Sequence, residues 1–246
     1  MNFTFGIITK GDNDNYIKEI IKSIEDNNIP QYEIIIVGNS QIANTTVIQV
    51  IPFCEETQVR DWITRKKNII IENAKYENIC FLHDYVKFNE GWYKGFIQFG
   101  NDFDWCVTKI MDINGNRFRD YTLFPHKVDY LDIHYSIGED IHFYFAMNTL
   151  LPYDFINNIK INKYMYISGT YFIMKKNIAQ TYKLNECLGH CMAEDVELSK
   201  RLHSNNIIIK CNKYSSVSFL KEKGRAYYEN EISKEAMSYL IEWSNK

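Results

Sequence analysis

The chain has 246 residues, of which 46% are apolar and 15% aromatic, with a formal net charge of −3. That length holds one large α/β domain with a sizeable core, and that apolar content excludes an intrinsically disordered protein. The slightly acidic balance excludes bulk attraction to nucleic acid or to an anionic membrane surface, so neither partner is expected.

No apolar run reaches the roughly 20 residues of a transmembrane helix. Residues 1–8 lack a basic leader, and Lys10-Gly11-Asp12 ends their apolar stretch early. Both features predict a protein without a signal peptide, placed in the cytoplasm. The six cysteines are scattered, as in a reduced chain. Cys187, His190 and Cys191 cluster, but without CxxC spacing or an obvious fourth ligand they make a weak zinc site.

In chain order, residues 3–9 read as a strand. Ile17, Ile20, Ile21 and Ile24 recur at helical spacing after the capping candidates Asp12 to Asn15, and Asn27 to Pro30 stop that helix. Residues 33–37 form a continuous apolar strand of the kind buried on both faces, with Gly38-Asn39-Ser40 as its turn. A third strand fits 47–53, a helix 59–74 and a fourth strand 79–82. This alternation predicts a mainly parallel sheet with right-handed crossovers, whose ligands bind at the carboxyl ends of the strands. Lys10-Gly11, Gly38-Asn39 and His83-Asp84 all stand at such ends.

Beyond residue 100, stretches 105–110 and 117–123 flank the turn signal Asn114-Gly115-Asn116 and predict a hairpin. Residues 124–164 show no period, and His126, His134 and His142 among them lack metal-ligand spacing. A strand over 164–174 is interrupted by Ser168-Gly169-Thr170. Helices follow near 176–183 and from Glu194-Asp195. A C-terminal helix places Ile232, Ala236, Tyr239, Leu240 and Trp243 on one face.

The chain carries neither GxGxxG after its first strand nor GxxxxGK[ST], which argues against dinucleotide oxidoreductases and P-loop enzymes. Asn39 offers an amide donor and acceptor at a strand end, though Gly-Asn-Ser also makes an ordinary turn. Arg65 and Asn68 lie three apart and share a helix face, which a solvated basic face would equally explain. The acids at Glu194 and Asp195 suit the positive end of a helix dipole as readily as they suit proton transfer.

Five segments taken together carry a resemblance: 5–12, 33–40, 65–74 leading to 81–85, 168–175 and 193–202. In order and spacing they resemble the inverting glycosyltransferases of the GT-A fold, the family-2-like group. That resemblance implies an α/β fold with a Rossmann-like nucleotide-binding core and a mixed, mainly parallel sheet flanked by helices. It implies one domain over 1–246, with a nucleotide-sugar-binding half (1–100) and an acceptor-binding half with a C-terminal helix (101–246). The implied activity moves a sugar from a nucleotide-sugar donor, with UDP-sugar as the donor class, to a glycan hydroxyl with inversion.

By the same resemblance, Thr9, Lys10, Gly11, Asn39, Arg65, Lys67, Asn68, His83 and Asp84 bind the nucleotide sugar. Asp195 is the catalytic base with Glu194 beside it, and Trp92 and Gly169 face the acceptor. The family holds a divalent cation, Mn or Mg, with two acids at the fourth strand's exit. This chain has Asp84 alone there, with His83 and Tyr85 as neighbours. A metal on Asp84 and a metal-independent mechanism, with Lys10, Arg65 and Lys67 neutralising the diphosphate, both remain open readings. So do two other functions, an inactive sugar-nucleotide or glycan-binding module and a sugar nucleotidyltransferase. Lys10-Gly11-Asp12 lacks the Gly-rich, Arg-containing loop of the latter.

Overall fold

A computed structural model of the protein describes residues 1–53, 62–123, 150–157 and 159–223, together with 234, 238 and 242. The strands are β1 (Phe3–Ile8), β2 (Tyr32–Val37), β3 (Ile48–Ile51), β4 (Asn78–His83), β5 (Val86–Phe88), β6 (Trp105–Met111), β7 (Arg117–Phe118), β8 (Tyr121–Leu123), β9 (Met165–Ile167), β10 (Tyr171–Lys175) and β11 (Ile209–Phe219). The main sheet runs β3-β2-β1-β4-β10-β6-β11-β5, with β7 on β6. β1 pairs in parallel with β2 and β4, and β11 with β6, while β10 and β5 run antiparallel to their neighbours. The strands β3, β2, β1, β4, β6 and β11 therefore point the same way, and their carboxyl ends share one edge.

Helices α1 (Asp14–Asp26), α2 (Ile63–Asn73), α3 (Trp92–Phe99), α4 (Ile159–Asn162), α5 (Lys176–Thr181) and α6 (Glu194–Ser204) complete the described elements, with a 3₁₀ turn at Tyr153–Asn157. Every residue of β1 is buried because both sheet faces are covered. Phe3, Phe5 and Ile7 point into one core with Ile17, Ile20 and Ile24 of α1; Ile8 faces the other, with Ile70 and Ile71 of α2. The continuous apolar runs of β1, β2 and β4 are what such double burial requires.

The hairpin prediction holds only in part. Residues 117–123 do not continue as one strand. The buried Asp120 carboxylate accepts bonds from Arg117 Nε and Nη2, Tyr121 N and Tyr153 Oη. That cluster ends β7, and β8 turns away to pair with β9. The interruption of 164–174 is observed, with Ser168-Gly169-Thr170 between β9 and β10. The named C-terminal apolar residues and the histidines at 126, 134 and 142 lie outside the described residues. Among the described residues, no helix is long and apolar enough to cross a membrane.

Trp92 was expected to face the acceptor, and the structure corrects this. It is fully buried, with the rings of Phe3, Phe5, Phe88 and Phe96 at centroid distances between 4.5 and 5.7 Å. Its Nε1 donates to Tyr171 Oη at 2.9 Å. It is a core anchor with no face left for a ligand. Trp92→Ala is expected to cost about 3–5 kcal/mol of stability, read by urea denaturation.

Candidate active site

A cavity of about 370 Å³ opens at the shared carboxyl edge of the strands. Its floor is built by the exits of β1 and β4. Asp84 is 6% exposed, and its Oδ2 accepts from Thr9 Oγ1 at 2.7 Å and Asn13 Nδ2 at 3.0 Å. The Thr9 hydroxyl also accepts from Gly11 N, so one hydroxyl ties the first loop to the fourth strand's exit. Gly11 and Gly38 both have positive φ, and a Cβ on either would collide with backbone oxygen, of Asn39 and Thr9 respectively. Glycine at both positions lets the loops after β1 and β2 close on each other.

His83 and Tyr85 line the cavity beside Asp84. Burial, and then the charges of Lys67 and Lys223, push the His83 imidazole well below its ordinary value, so it is neutral at physiological pH. Lys10, Lys66, Lys221 and Lys223 bring four ammonium groups to the lining, against the carboxylates of Asp12, Asp84 and Glu222. Lys66 Nζ donates to Thr9 O at 2.7 Å. Lys221 Nζ lies 4.4 Å from the centroid of the Tyr85 ring. Lys223 Nζ donates to Thr170 Oγ1 at 2.7 Å. Burial first, and then Arg119, lower the Lys223 ammonium to about 8.

Several expected ligands lie elsewhere. Arg65 and Asn68 do share a face of α2, but that face meets the 184–186 loop. Arg65 Nη1 pairs with Glu72 and Glu186, and Asn68 bonds Leu184 and Glu186. Neither lines the cavity. Asn39 is exposed beyond the lining, with its backbone against Gly11. Lys67 is 1% exposed behind the cavity, where its Nζ donates to Gly169 O at 2.7 Å. Sequence reasoning missed Lys66, Lys221 and Lys223 as wall residues. The available signal was Lys221-Glu222-Lys223 directly after the apolar end of β11, which exits at the same edge as β1.

The acidic pair opens α6 just behind this cavity. Asp195 Oδ2 accepts from Gly169 N at 3.0 Å and Oδ1 from Val196 N at 2.9 Å. Glu194 is 9% exposed, and a Cβ on Gly169 would lie 2.7 Å from its Oε1. Neither acid lines the cavity; Gly169 N binds Asp195, and the next residue, Thr170, binds Lys223 of the cavity wall.

Burial, and then the charge of Asp195, push the Glu194 carboxyl up to about 7 against the pull of Lys67. A folded-state value above the unfolded one means that the folded protein binds this proton more tightly. The resulting penalty is absent below about pH 4.5 and complete above about pH 7. Glu194→Gln is therefore expected to stabilise the protein by up to about 3 kcal/mol at alkaline pH and by almost nothing near pH 4. Urea melts at the two pH values check this.

Of the donor types a divalent cation takes, Asp12, Asp84, Glu222, His83 and His190 line the cleft. Among the described residues, no group of three His, Cys, Asp or Glu side chains is placed to hold an ion. Asp84 has one carboxylate oxygen committed to Thr9 and Asn13, and the cleft around it is walled by ammonium groups.

The sheet and its edge can be set beside known structures. S. aureus TarS 1-349 matches with a TM-score of 0.51 at 15% identity, over 99% of this chain and 64% of that one. The same protein in complex with UDP-GlcNAc gives a TM-score of 0.55 over 91% and 60%. GalNAc-T7 with UDP, GalNAc and Mn²⁺ gives 0.55 at 11% identity, over 91% and 44%. The chain has a GT-A fold. It spans less than two thirds of the length of each of these structures. No protein-family profile and no curated protein sequence matches it. In the GT-A core, the cavity sits at the end of β1, at the edge where open α/β sheets take their ligands.

Proposed function

We propose that the chain is a glycosyltransferase that takes a UDP-sugar into the cavity over Asp84 and passes the sugar to a glycan hydroxyl with inversion. The observation that carries this reading is the joining of a lysine-walled cleft to an acidic pair through the Ser168-Gly169-Thr170 turn. A diphosphate needs cations where charge develops as it leaves, and an attacking hydroxyl needs a proton acceptor on the opposite face. The GT-A fold and its likeness to structures holding UDP-sugar or UDP support the donor class.

In this account Asp195 takes the proton from the acceptor hydroxyl as that oxygen bonds to the anomeric carbon. The bond from that carbon to the β-phosphate oxygen breaks in the same step, and its electron pair leaves on UDP. Lys66, Lys221 and Lys223 stabilise the charge that accumulates there. One displacement from the far face inverts the anomeric centre. Thr9 and Asn13 hold Asp84, and Gly169 N holds Asp195, so the groups are oriented before substrate arrives.

The test is release of free nucleotide from a panel of nucleotide sugars with mixed glycan acceptors, in EDTA and in Mn²⁺. Acceptor-dependent UDP release that persists in EDTA is the expected result. Donor binding with no release from any donor would instead mark a binding module.

A further inference from the structure

The turn between β9 and β10 is held by four separate parts of the chain. Gly169 O accepts from Lys67 Nζ of α2, and Gly169 N donates to Asp195 Oδ2 of α6. Thr170 O accepts from His83 N of β4, and Thr170 Oγ1 accepts from Lys223 Nζ, beyond β11. The contact with the acidic pair is tight, since a Cβ on Gly169 would lie 3.2 Å from Asp195 Cβ and closer still to Glu194 Oε1.

Lys67 is the unusual member. It is buried, it lies 5.4 Å from the centroid of the Phe172 ring, and among the described residues its hydrogen-bond acceptor is a neutral carbonyl. A buried ammonium bonded to one carbonyl is costly, and an apolar side chain would fill the space more cheaply.

We propose that Lys67 is a positioning residue for the acidic pair, fixing the turn through Gly169 O and supplying the buried positive charge that keeps Glu194 and Asp195 able to take up a proton from the acceptor. The charged groups facing the pair are Lys67 from α2, Lys223 from the segment after β11 and Arg119 from the link between β7 and β8. Lys67 and Lys223 anchor adjacent residues of one turn, so the cation behind the acids and the cation of the cleft are set by the same piece of backbone. The charge of Lys67 opposes the upward push on Glu194, so its removal raises Glu194 further.

The role of Lys67 rests on the transferase reading above, but its electrostatic half is measurable without turnover. The experiment follows the Glu194 carboxyl carbon by NMR against pH in wild type, Lys67→Met, Lys67→Gln and Lys67→Arg, beside the pH profile of kcat. Glutamine keeps a donor for Gly169 O and drops the charge; arginine keeps both. The proposal expects about tenfold higher proton affinity at Glu194 in the Met and Gln variants and a wild-type value in Arg. The acidic limb of kcat, which follows Asp195 as the base, should respond to the same loss of charge.

A folded Lys67→Gln protein with unmoved Glu194 titration would overturn the proposal and leave Lys67 a structural tie. If the uncharged variants do not fold, the reciprocal measurement decides. In Glu194→Gln the Lys67 ammonium should lose proton affinity, and an unchanged ammonium overturns the proposal. A shifted carboxyl in a protein that transfers nothing would sink the transferase reading alone. An unshifted one in an active enzyme would sink the role of Lys67 alone.

Discussion

Asp195→Asn is expected to lower the turnover of sugar transfer by about 10²- to 10⁴-fold, the usual contribution of a positioned general base. Donor affinity should stay within about twofold, because a loss confined to the transition state appears in kcat. The geometry makes the two effects separable. Asp195 does not line the donor cavity, and asparagine retains an oxygen to accept from Gly169 N. What the variant lacks is a proton acceptor of useful basicity. Stopped assays of transfer, beside calorimetric titration with the donor, give both numbers. An equal loss of donor affinity would mean that Asp195 holds the cleft together. Full activity would move the base to Glu194 or remove the assignment.

The second large effect belongs to the lysines after β11. Lys223→Met is expected to weaken UDP-sugar binding roughly 10- to 100-fold, the scale of one charge-assisted bond to phosphate, and Lys221→Met to weaken it less. The pH dependence follows from the lowered ammonium at Lys223, near 8. Below that value the cleft carries the charge, and above it the charge is lost, so wild-type donor affinity should fall as pH rises through about 8. Lys223→Arg stays cationic throughout that range and should abolish the fall. Titrations at several pH values in EDTA check all three variants. Affinity that depends on added Mn²⁺ and ignores Lys223 would return the diphosphate to a metal.

The parts of this site that were legible in the sequence are those fixed by short-range physics. β1, β2 and β4 announce themselves as apolar runs closed by polar or glycine turns, and their ends gave Thr9, Gly11, His83 and Asp84. The acidic start of α6 was legible for the same reason. The face of α2 was not. Ile63, Thr64, Lys66, Lys67, Asn68, Ile70 and Ile71 are all buried, so no polar stripe sets its rotation. Arg65, Lys67 and Asn68 were therefore named as ligands and Lys66 was not.

β11 was missed because its alternation breaks at a register shift between Asn212 and Ser216. With that strand went the knowledge that Lys221 and Lys223 exit at the ligand edge. Trp92 was misread because Phe3 and Phe5, which close the cage around its ring, come from β1, distant in sequence, so the local Phe88 and Phe96 gave only half of the pattern.

The central claim is that a nucleotide diphosphate lies over Asp84 against the lysines of the cleft. A crystal structure of the protein with UDP, grown in EDTA, tests this directly. The account predicts the diphosphate within hydrogen-bond reach of Lys66 or Lys223, with Asp84 still held by Thr9 and Asn13. UDP bound away from the β1 and β4 exits, or a cleft left empty at saturating UDP, would contradict it.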